Sequence, residues 1–190
     1  MGCLTTGLGY LPSRAVSCLL PTRDGPLRLV GAYVPSRDAS VEKTERKRRW
    51  LAEFGTMLAR ADGQHPVVLA GDLNVLEPDH QPRYRFFANF EYDFYRSLTD
   101  RHGLVDAYRH QHPDTVEHSW VGRTGDGYRY DHAFCAAALG DRITGCAYDH
   151  TPRLEKLSDH SALTMQLAVR PPPALPVTDT TTATAEPTLF

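Results

Sequence analysis

The sequence is poor in cysteine and lacks every cysteine spacing that would indicate a metal or disulfide framework. Its four cysteines include no Cys-x-x-Cys pair, which argues against a cysteine-ligated zinc site and a disulfide-stapled domain. No apolar run is long enough to span a bilayer, and the N-terminus lacks the charged and apolar regions of a secretory signal. We therefore expect buried, reduced thiols in a cytoplasmic protein with no membrane partner. We also expect a monomer.

A large charge of either sign is missing as well. The formal net charge is -2 over 190 residues, whereas a nucleic-acid-binding domain usually carries a clear basic excess. A nucleic acid partner would therefore have to be held by a local patch. The candidate is a run of five cationic side chains between Lys43 and Arg49, although such runs more often form a solvated helix face than a contact with phosphates.

The composition predicts one domain followed by a tail. With 41% hydrophobic residues, the chain can bury one sizeable core, which we expect to lie within residues 1–170. Residues 171–190 are rich in Pro and Thr and have few large apolar side chains, which is typical of a disordered tail. The first six residues fit an N-myristoylation pattern, a short motif that often arises by chance.

The hydrophobic pattern predicts strands interspersed with helices. Apolar runs at 15–20 and 27–34 flank a turn with Asp-Gly and predict an antiparallel hairpin. Trp50, Leu51 and Phe54 begin a series with spacings of three and four that predicts an amphipathic helix over 40–60. The remaining predicted elements are strands over 66–70, 128–135 and 162–169 and a helical stretch within 86–102.

The strand predicted at 66–70 delivers polar side chains to solvent. Its β-branched apolar run is closed by Gly71 and followed by Asp72 and Asn74. Ligand sites of α/β proteins form at the carboxyl ends of buried strands, so this pair suggests a phosphate or metal site. The alternative is an Asx turn, in which both side chains bond only nearby backbone.

Further polar residues stand at other predicted strands. Asp131 interrupts an apolar strand and needs a partner if it is buried, whereas Asp159 and His160 directly precede the last strand. Tyr33 lies near the end of the second hairpin strand, where its hydroxyl could reach a site, although such residues more often only pack their rings. Carboxylates and an imidazole at successive strand ends are what metal-assisted hydrolysis of a phosphate ester requires.

Four motifs, in this order, resemble those of the endonuclease/exonuclease/phosphatase superfamily of Mg-dependent phosphoesterases. They are Tyr-Val-Pro at 33–35, Gly-Asp-Leu-Asn at 71–74, Arg-Tyr-Asp-His at 129–132 and Ser-Asp-His-Ser at 158–161. His-Ser-Trp at 118–120 and Arg-Leu-Glu-Lys-Leu at 153–157 look most like the exonuclease III branch of apurinic/apyrimidinic endonucleases. The resemblance implies an α/β fold, namely a four-layer α/β sandwich of two packed mixed sheets flanked by helices.

The resemblance also implies catalytic roles. Asp72 would orient or deprotonate the attacking water, and Asn74 and His160 would hold the scissile phosphate. Asp131 would orient the His160 ring, and Tyr33 would contact the phosphate or help the leaving oxygen. A carboxylate bonded to an imidazole fixes its tautomer and raises its basicity, which agrees with the pairing implied for Asp131.

Cofactor and substrate contacts are implied in the same way. Asp159 and Asp72 would contribute to a site for Mg2+, with Mn2+ as the alternative ion. Asn74, Trp120 and Arg129 would contact the substrate. Mg2+ prefers carboxylate oxygens and keeps several waters, so few protein ligands are needed.

One departure from the family pattern affects the expected activity. Family members begin with a strand bearing an Asn and a second strand end bearing the Glu that is the principal metal ligand, and this chain starts after both. We therefore expect an N-terminally truncated domain, as a fragment, an internal start or a degenerate paralogue. Metal binding is expected to be weak, and hydrolysis at millimolar Mg2+ to be low or absent.

Three functions are compatible with these motifs. The leading hypothesis is a Mg-dependent phosphodiesterase of the exonuclease III type, a nuclease that acts on DNA in repair. The alternatives are a phosphatase or phosphodiesterase acting on a small, non-nucleic phosphate ester, which the lack of basic charge favours slightly, and a non-catalytic vestigial domain.

Overall fold

The computed structural model describes residues 3–4, 7–61, 63–81, 84 and 86–172. The side chains of the N-terminal modification motif, and the predicted tail after residue 172, lie outside this part of the chain. The strands are β1 (Cys3–Leu4), β2 (Ala15–Leu20), β3 (Leu27–Ala32), β4 (Val67–Asp72), β5 (Leu104–Asp106), β6 (Trp120–Val121), β7 (Gly127–Tyr128), β8 (Asp131–Ala136), β9 (Ile143–Asp149) and β10 (Ala162–Leu167). The helices are α1 (Val41–Ala61), α2 (Asn89–Asp100), α3 (Ala107–Gln111) and α4 (Thr151–Leu154).

The central element is a mixed sheet with the strand order β1-β2-β3-β4-β8-β5. Only β3 and β4 pair in parallel, and the other neighbours are antiparallel. Strands β9 and β10 form a second, antiparallel sheet, and β6 pairs with β7. The predicted α/β fold and the predicted hairpin of β2 and β3 are therefore confirmed.

Helices α1 and α2 cover one face of the central sheet. The α1 side chains Trp50 and Phe54 are fully buried and stack at 4.7 Å between ring centroids, and they pack with Leu69 of β4 and Phe134 of β8 in one core cluster. The predicted apolar stripe of α1 is thus the face that docks on the sheet. None of the helices in the described residues is long and apolar enough to cross a membrane.

The second sheet packs against the opposite face of the central sheet. Val68 and Cys135 of the central sheet share a cluster with Cys146 of β9 and with Leu163 and Met165 of β10. The residues of β10 alternate between half-buried and exposed, as expected for a strand with one face toward the core. The order from helices to first sheet to second sheet is that of the predicted sandwich.

One predicted strand near the site needs correction, and one strand was missed. The strand predicted over 128–135 is divided, because the backbone N–H of Tyr130 binds the Ser119 hydroxyl and its carbonyl accepts from Leu73 N–H. Asp131 is therefore the first residue of β8 and not a mid-strand residue. Strand β9 was not predicted, because its buried residues Ile143 and Cys146 are three positions apart and show no period of two.

Gly71 is required by a close backbone approach. Its φ is +146°, and a Cβ at this position would lie 2.0 Å from the carbonyl oxygen of Ala32. We expect Gly71→Ala to lower the free energy of unfolding by about 3 kcal/mol or more, since strain and overpacking each cost roughly 1–3 kcal/mol. Gly63 has a φ of +79° with open space around it, so Gly63→Ala is the control, with an expected loss of about 1 kcal/mol. Equal losses in urea denaturation would contradict this explanation.

Candidate active site

The strand pairing of the central sheet brings two predicted carboxylates together. Strand β4 ends at Asp72 and its antiparallel neighbour β8 begins at Asp131, so these residues are direct cross-strand partners. Antiparallel pairing places the end of one strand beside the start of the next. The end of the central sheet at which Asp72 and Asp131 lie is therefore the candidate active site.

His160 joins this edge through a hydrogen bond to Asp131. Its Nδ1 lies 2.7 Å from Asp131 Oδ2, the pairing predicted from the sequence. This bond is the main reason that the pKa of His160 is raised above its ordinary value, and the charges of Asp131, Asp72 and Asp159 add to it while burial opposes it. With Nδ1–H donated to the carboxylate, Nε2 is the ring atom left for a substrate oxygen.

Asp72 and Asn74 form a tight turn after β4. The Asn74 backbone N–H donates to Asp72 Oδ1 at 2.9 Å, and its Nδ2 donates to Asp72 Oδ2 at 2.8 Å and to the Val34 carbonyl at 3.1 Å. Both amide hydrogens of the Asn74 side chain are thereby used. The bond from the Asn74 N–H to Asp72 is that of an Asx turn, but the Asn74 side chain bonds the Asp72 carboxylate and the distant Val34 carbonyl and not nearby backbone alone. Asn74 thus orients Asp72 in this structure, and its contact with a phosphate stays a prediction.

The carboxyl group of Asp72 is in an unfavourable environment for a negative charge. Burial and then the neighbouring charge of Asp131 raise its pKa from 3.8 to about 6, although the charge of His160 acts in the opposite direction. A carboxylate with a pKa near neutrality is suited to general-base catalysis. A cation beside it would offset the repulsion between the two carboxylates.

A buried ion-pair network supports the turn from below. Lys47 of α1 is 1% exposed; its Nζ donates to the Asn74 carbonyl and, at 2.6 Å, to Glu91. Glu91 also binds Arg37 at 2.7 Å. Burial lowers the pKa of Lys47 while the charge of Glu91 opposes this. The network fixes Asn74, whose φ of +48° is left-handed.

The cationic run in α1 is therefore not a free phosphate-binding patch. Lys43 pairs with Asp38, and Arg48 and Arg49 pair with glutamates one helical turn away. Lys47 is neither solvated nor exposed to a ligand, so it fits neither sequence-based alternative. Its position three residues before Trp50, on the apolar stripe, is the signal that could have identified it as buried.

The prediction that Arg129 contacts the substrate is wrong. Its side chain is completely buried, and its guanidinium binds Glu77 and Asp106 at 2.9 Å each and the Tyr95 hydroxyl at 3.1 Å. Burial alone would raise the pKa of Glu77, but the bonds and charges of Arg109 and Arg129 lower it to about 2. Arg129 therefore ties the segment after Asn74 to the segment before Asp131.

Aromatic rings line one side of the site. Trp120 lies 5.6 Å from Tyr128 and 5.9 Å from Tyr130, which are themselves stacked at 5.1 Å. Trp120 also forms an isolated β-bridge with His160 and donates from Nε1 to Asp159 at 3.3 Å. The structure thus brings Trp120 and the exposed Asp159 to the predicted site.

Tyr33 lies at the same end of the central sheet, and its link to the other site residues runs through the neighbouring Val34. The residue is 54% exposed, and the Arg14 guanidinium lies over its ring at 4.7 Å from the ring centroid. The following residue, Val34, donates its N–H to the Asp72 carbonyl. A contact between the Tyr33 hydroxyl and a phosphate stays a prediction.

A groove of about 760 Å3 lies between α1 and α2, and none of the predicted site residues line it.

Asp72 and Asp159 both act electrostatically on His160 and are the carboxylates that could hold a divalent cation at this site. Within the described residues, no group of three or more His, Cys, Asp or Glu side chains has metal-binding geometry. Mg2+ usually needs only one or two protein carboxylates and keeps its waters. The raised pKa of Asp72 identifies a carboxylate whose charge such an ion would stabilise.

Comparison with known proteins gives sequence relatives that include DNA nucleases, although no family model matches the chain. An exodeoxyribonuclease of Streptococcus pneumoniae is 27% identical over a 142-residue alignment that covers 63% of this chain and 51% of the relative. The DNA repair nuclease APEX1 of Danio rerio is 26% identical over 155 residues, covering 74% of this chain and 49% of the relative. The chain spans about half the length of these curated relatives.

A solved structure gives the same result for the fold. An AP endonuclease from Archaeoglobus fulgidus superposes with a TM-score of 0.73 at 25% identity, covering 86% of this chain and 69% of that one. Its fold is the α/β arrangement described above. The sequence relatives and the shared fold thus confirm the resemblance of this chain to the endonuclease/exonuclease/phosphatase superfamily, and within it to the exonuclease III branch.

Proposed function

We propose that this chain is a Mg2+-dependent phosphodiesterase of the exonuclease III type that hydrolyses phosphate esters in DNA. The observation that carries the proposal is the Asp131–His160 hydrogen bond of 2.7 Å beside Asp72. A carboxylate–imidazole pair next to a carboxylate of raised pKa is an arrangement suited to phosphate ester hydrolysis. The names of the sequence relatives, an exodeoxyribonuclease and a DNA repair nuclease, support DNA as the substrate.

Asp72, His160 and Asp131 have different roles in the proposed reaction. Asp72, held by both hydrogen bonds from Asn74, is the base that orients and deprotonates the attacking water. His160 donates from Nε2 to a phosphate oxygen. The Asp131 carboxylate keeps the His160 ring in its orientation and stabilises the positive charge of the ring. The pKa of Asp72 is about 6, so its carboxyl group is mostly ionised near neutral pH, as a base must be. The raised pKa of His160 favours the protonated ring that donates from Nε2.

The remaining residues hold the substrate and the ion. Trp120, Tyr128 and Tyr130 provide ring faces on which a base or sugar can stack. Asp72 and Asp159 are the residues that would hold Mg2+, or Mn2+, which supplies charge stabilisation for the phosphate when bound. Since the described residues offer few ligands, we propose that metal binding is weak and that activity at millimolar Mg2+ is low.

This proposal is tested by measuring cleavage under single-turnover conditions while the metal concentration is raised. We expect cleavage of an abasic-site duplex to increase with Mg2+ or Mn2+ beyond the millimolar range without early saturation, and to stop when the ion is chelated. Cleavage that persists in chelator would contradict metal dependence. A matched assay uses a small aryl phosphodiester under the same conditions.

The second substrate separates the leading function from its alternative. Faster turnover of the small ester than of DNA would move this chain to the class that acts on non-nucleic phosphate esters, which its lack of basic charge favours. Hydrolysis of neither substrate at any metal concentration would identify a non-catalytic domain.

A further inference from the structure

Ser119 lies between Asp131 and His160, the hydrogen-bonded pair of the candidate active site, which we call the dyad. It has no role of its own in the proposed chemistry. It is completely buried, although its neighbour Trp120 is only partly buried. The Ser119 hydroxyl oxygen accepts the backbone N–H groups of Tyr130 and Asp131, each at 3.0 Å. One side chain therefore fixes the backbone that enters β8 at Asp131.

The same residue also holds the His160 segment. The Ser119 carbonyl accepts the backbone N–H of Ser161 at 2.7 Å, and its neighbour Trp120 forms the isolated β-bridge with His160. Ser119 thus contacts the residue that follows His160 through its backbone and Asp131 through its side chain. These elements are otherwise distant in sequence, since Asp131 and His160 are 29 residues apart.

The hydroxyl satisfies donors that β pairing leaves unpaired. Strand β7 ends at Tyr128 and β8 begins at Asp131, so Tyr130 lies between the two strands and Asp131 directly follows it, and the acceptor for both N–H groups is the Ser119 hydroxyl. Buried N–H groups without an acceptor are strongly disfavoured. Without the Ser119 hydroxyl, this segment would have to move toward another acceptor, and Asp131 would move with it.

We infer that Ser119 is a positioning residue that sets the distance and angle between Asp131 and His160. The inference rests on the proposed function for its catalytic consequence and on the geometry alone for its structural one. Loss of such an orienting group typically costs about 10- to 100-fold in activity. A hydroxyl that served only local packing would leave the Asp131–His160 hydrogen bond unchanged.

The test reads the dyad directly, without requiring activity. In the metal-free chain, the imidazole Nδ1–H of His160 gives a nitrogen-coupled proton resonance while its hydrogen bond to Asp131 excludes exchange with water, and His160→Gln assigns it. We expect Ser119→Ala to broaden or abolish this resonance and Ser119→Thr to retain it. An unchanged resonance in a folded Ser119→Ala chain would overturn the inference.

Ser17 provides the matched control. It is a buried serine of β2, 2% exposed, whose hydroxyl has no hydrogen-bond partner among the described residues. Ser17→Ala is expected to leave both the resonance and any cleavage rate unchanged. If Ser119→Ala does not fold, the nearly isosteric Ser119→Cys, a weak acceptor, is measured in the same way, and an unchanged resonance there would also overturn the inference.

Cleavage supplies the second readout. On an abasic-site duplex, we expect about a 10-fold or larger loss of rate in Ser119→Ala and recovery in Ser119→Thr. If the unmodified chain does not cleave DNA, the proposed function fails while the resonance still tests Ser119. If the chain cleaves and Ser119→Ala cleaves equally fast, the positioning role fails while the proposed function stands.

Discussion

Replacing Asp131 by Asn is expected to lower hydrolysis by this chain about 100-fold or more while leaving the fold intact. The Asn side chain has the same shape, but it has no charge to hold the His160 ring, whose hydrogen bond to Asp131 is the main cause of its raised pKa. An amide can also favour the wrong imidazole tautomer. The loss should appear in the single-turnover rate, with circular dichroism unchanged.

A matched Asp→Asn change separates this effect from the general loss of a negative charge. Asp141 is exposed and lies in a short helix away from the site, so Asp141→Asn should retain the full rate. If Asp131→Asn also retained the full rate, the hydrogen bond to His160 would have no part in the chemistry.

Replacing Arg129 by Met is expected to lower the free energy of unfolding by about 3–5 kcal/mol, the usual cost of removing one partner from a buried ion pair. The change leaves Glu77 and Asp106, both less than 10% exposed, without their shared guanidinium. Glu77 keeps its ion pair with Arg109 at 2.6 Å. The loss of the guanidinium therefore leaves the charge of Asp106 less well compensated than that of Glu77. Denaturant unfolding measures the difference.

The pH dependence of stability gives this prediction a second readout. The folded-state pKa of Glu77 is lowered from 4.5 to about 2, so its ionisation stabilises the native chain fully above 4.5 and less as pH falls toward 2. In Arg129→Met the pKa rises toward its ordinary value, so this part of the acid dependence should shrink. A chain with the same acid dependence as the parent would contradict the assignment.

The control for Arg129 is an arginine in an exposed ion pair. Arg96 lies 3.1 Å from Asp93, with both side chains more than half exposed, and such pairs contribute only about 0–1 kcal/mol. Arg96→Met should therefore be nearly neutral. Losses of similar size in the two variants would show that the buried network does not stabilise the fold.

The sequence was sufficient to place the residues whose neighbours are fixed by strand order. Asp72 and Asp131 follow from the apolar runs beside them. The family resemblance implied His160 as the partner of Asp131, and the structure has this hydrogen bond. The positions of these carboxylates depend on short-range patterns that periodicity and turn chemistry record. The need for glycine at position 71 does not, because it is set by the carbonyl of Ala32 in the neighbouring strand β3.

The buried charges could not be predicted in the same way. Lys47 and Glu91 are 44 residues apart, and Arg129 reaches a glutamate 52 residues away. Whether a charged side chain is buried depends on such tertiary partners, which a single sequence does not reveal. Arg129 was therefore assigned to substrate contact, and Lys47 to a cationic run, although both hold the turn and strand from within the core.

The most direct test of the central claim is the single-turnover cleavage of an abasic-site duplex at high Mg2+ by the chain and by its His160→Ala and Asp72→Ala variants. If the active site lies at this end of the central sheet, the unmodified chain cleaves the duplex and each variant is at least about 100-fold slower, as expected for loss of an essential acid or base. Cleavage by either folded variant at the rate of the unmodified chain would show that the chemistry occurs elsewhere.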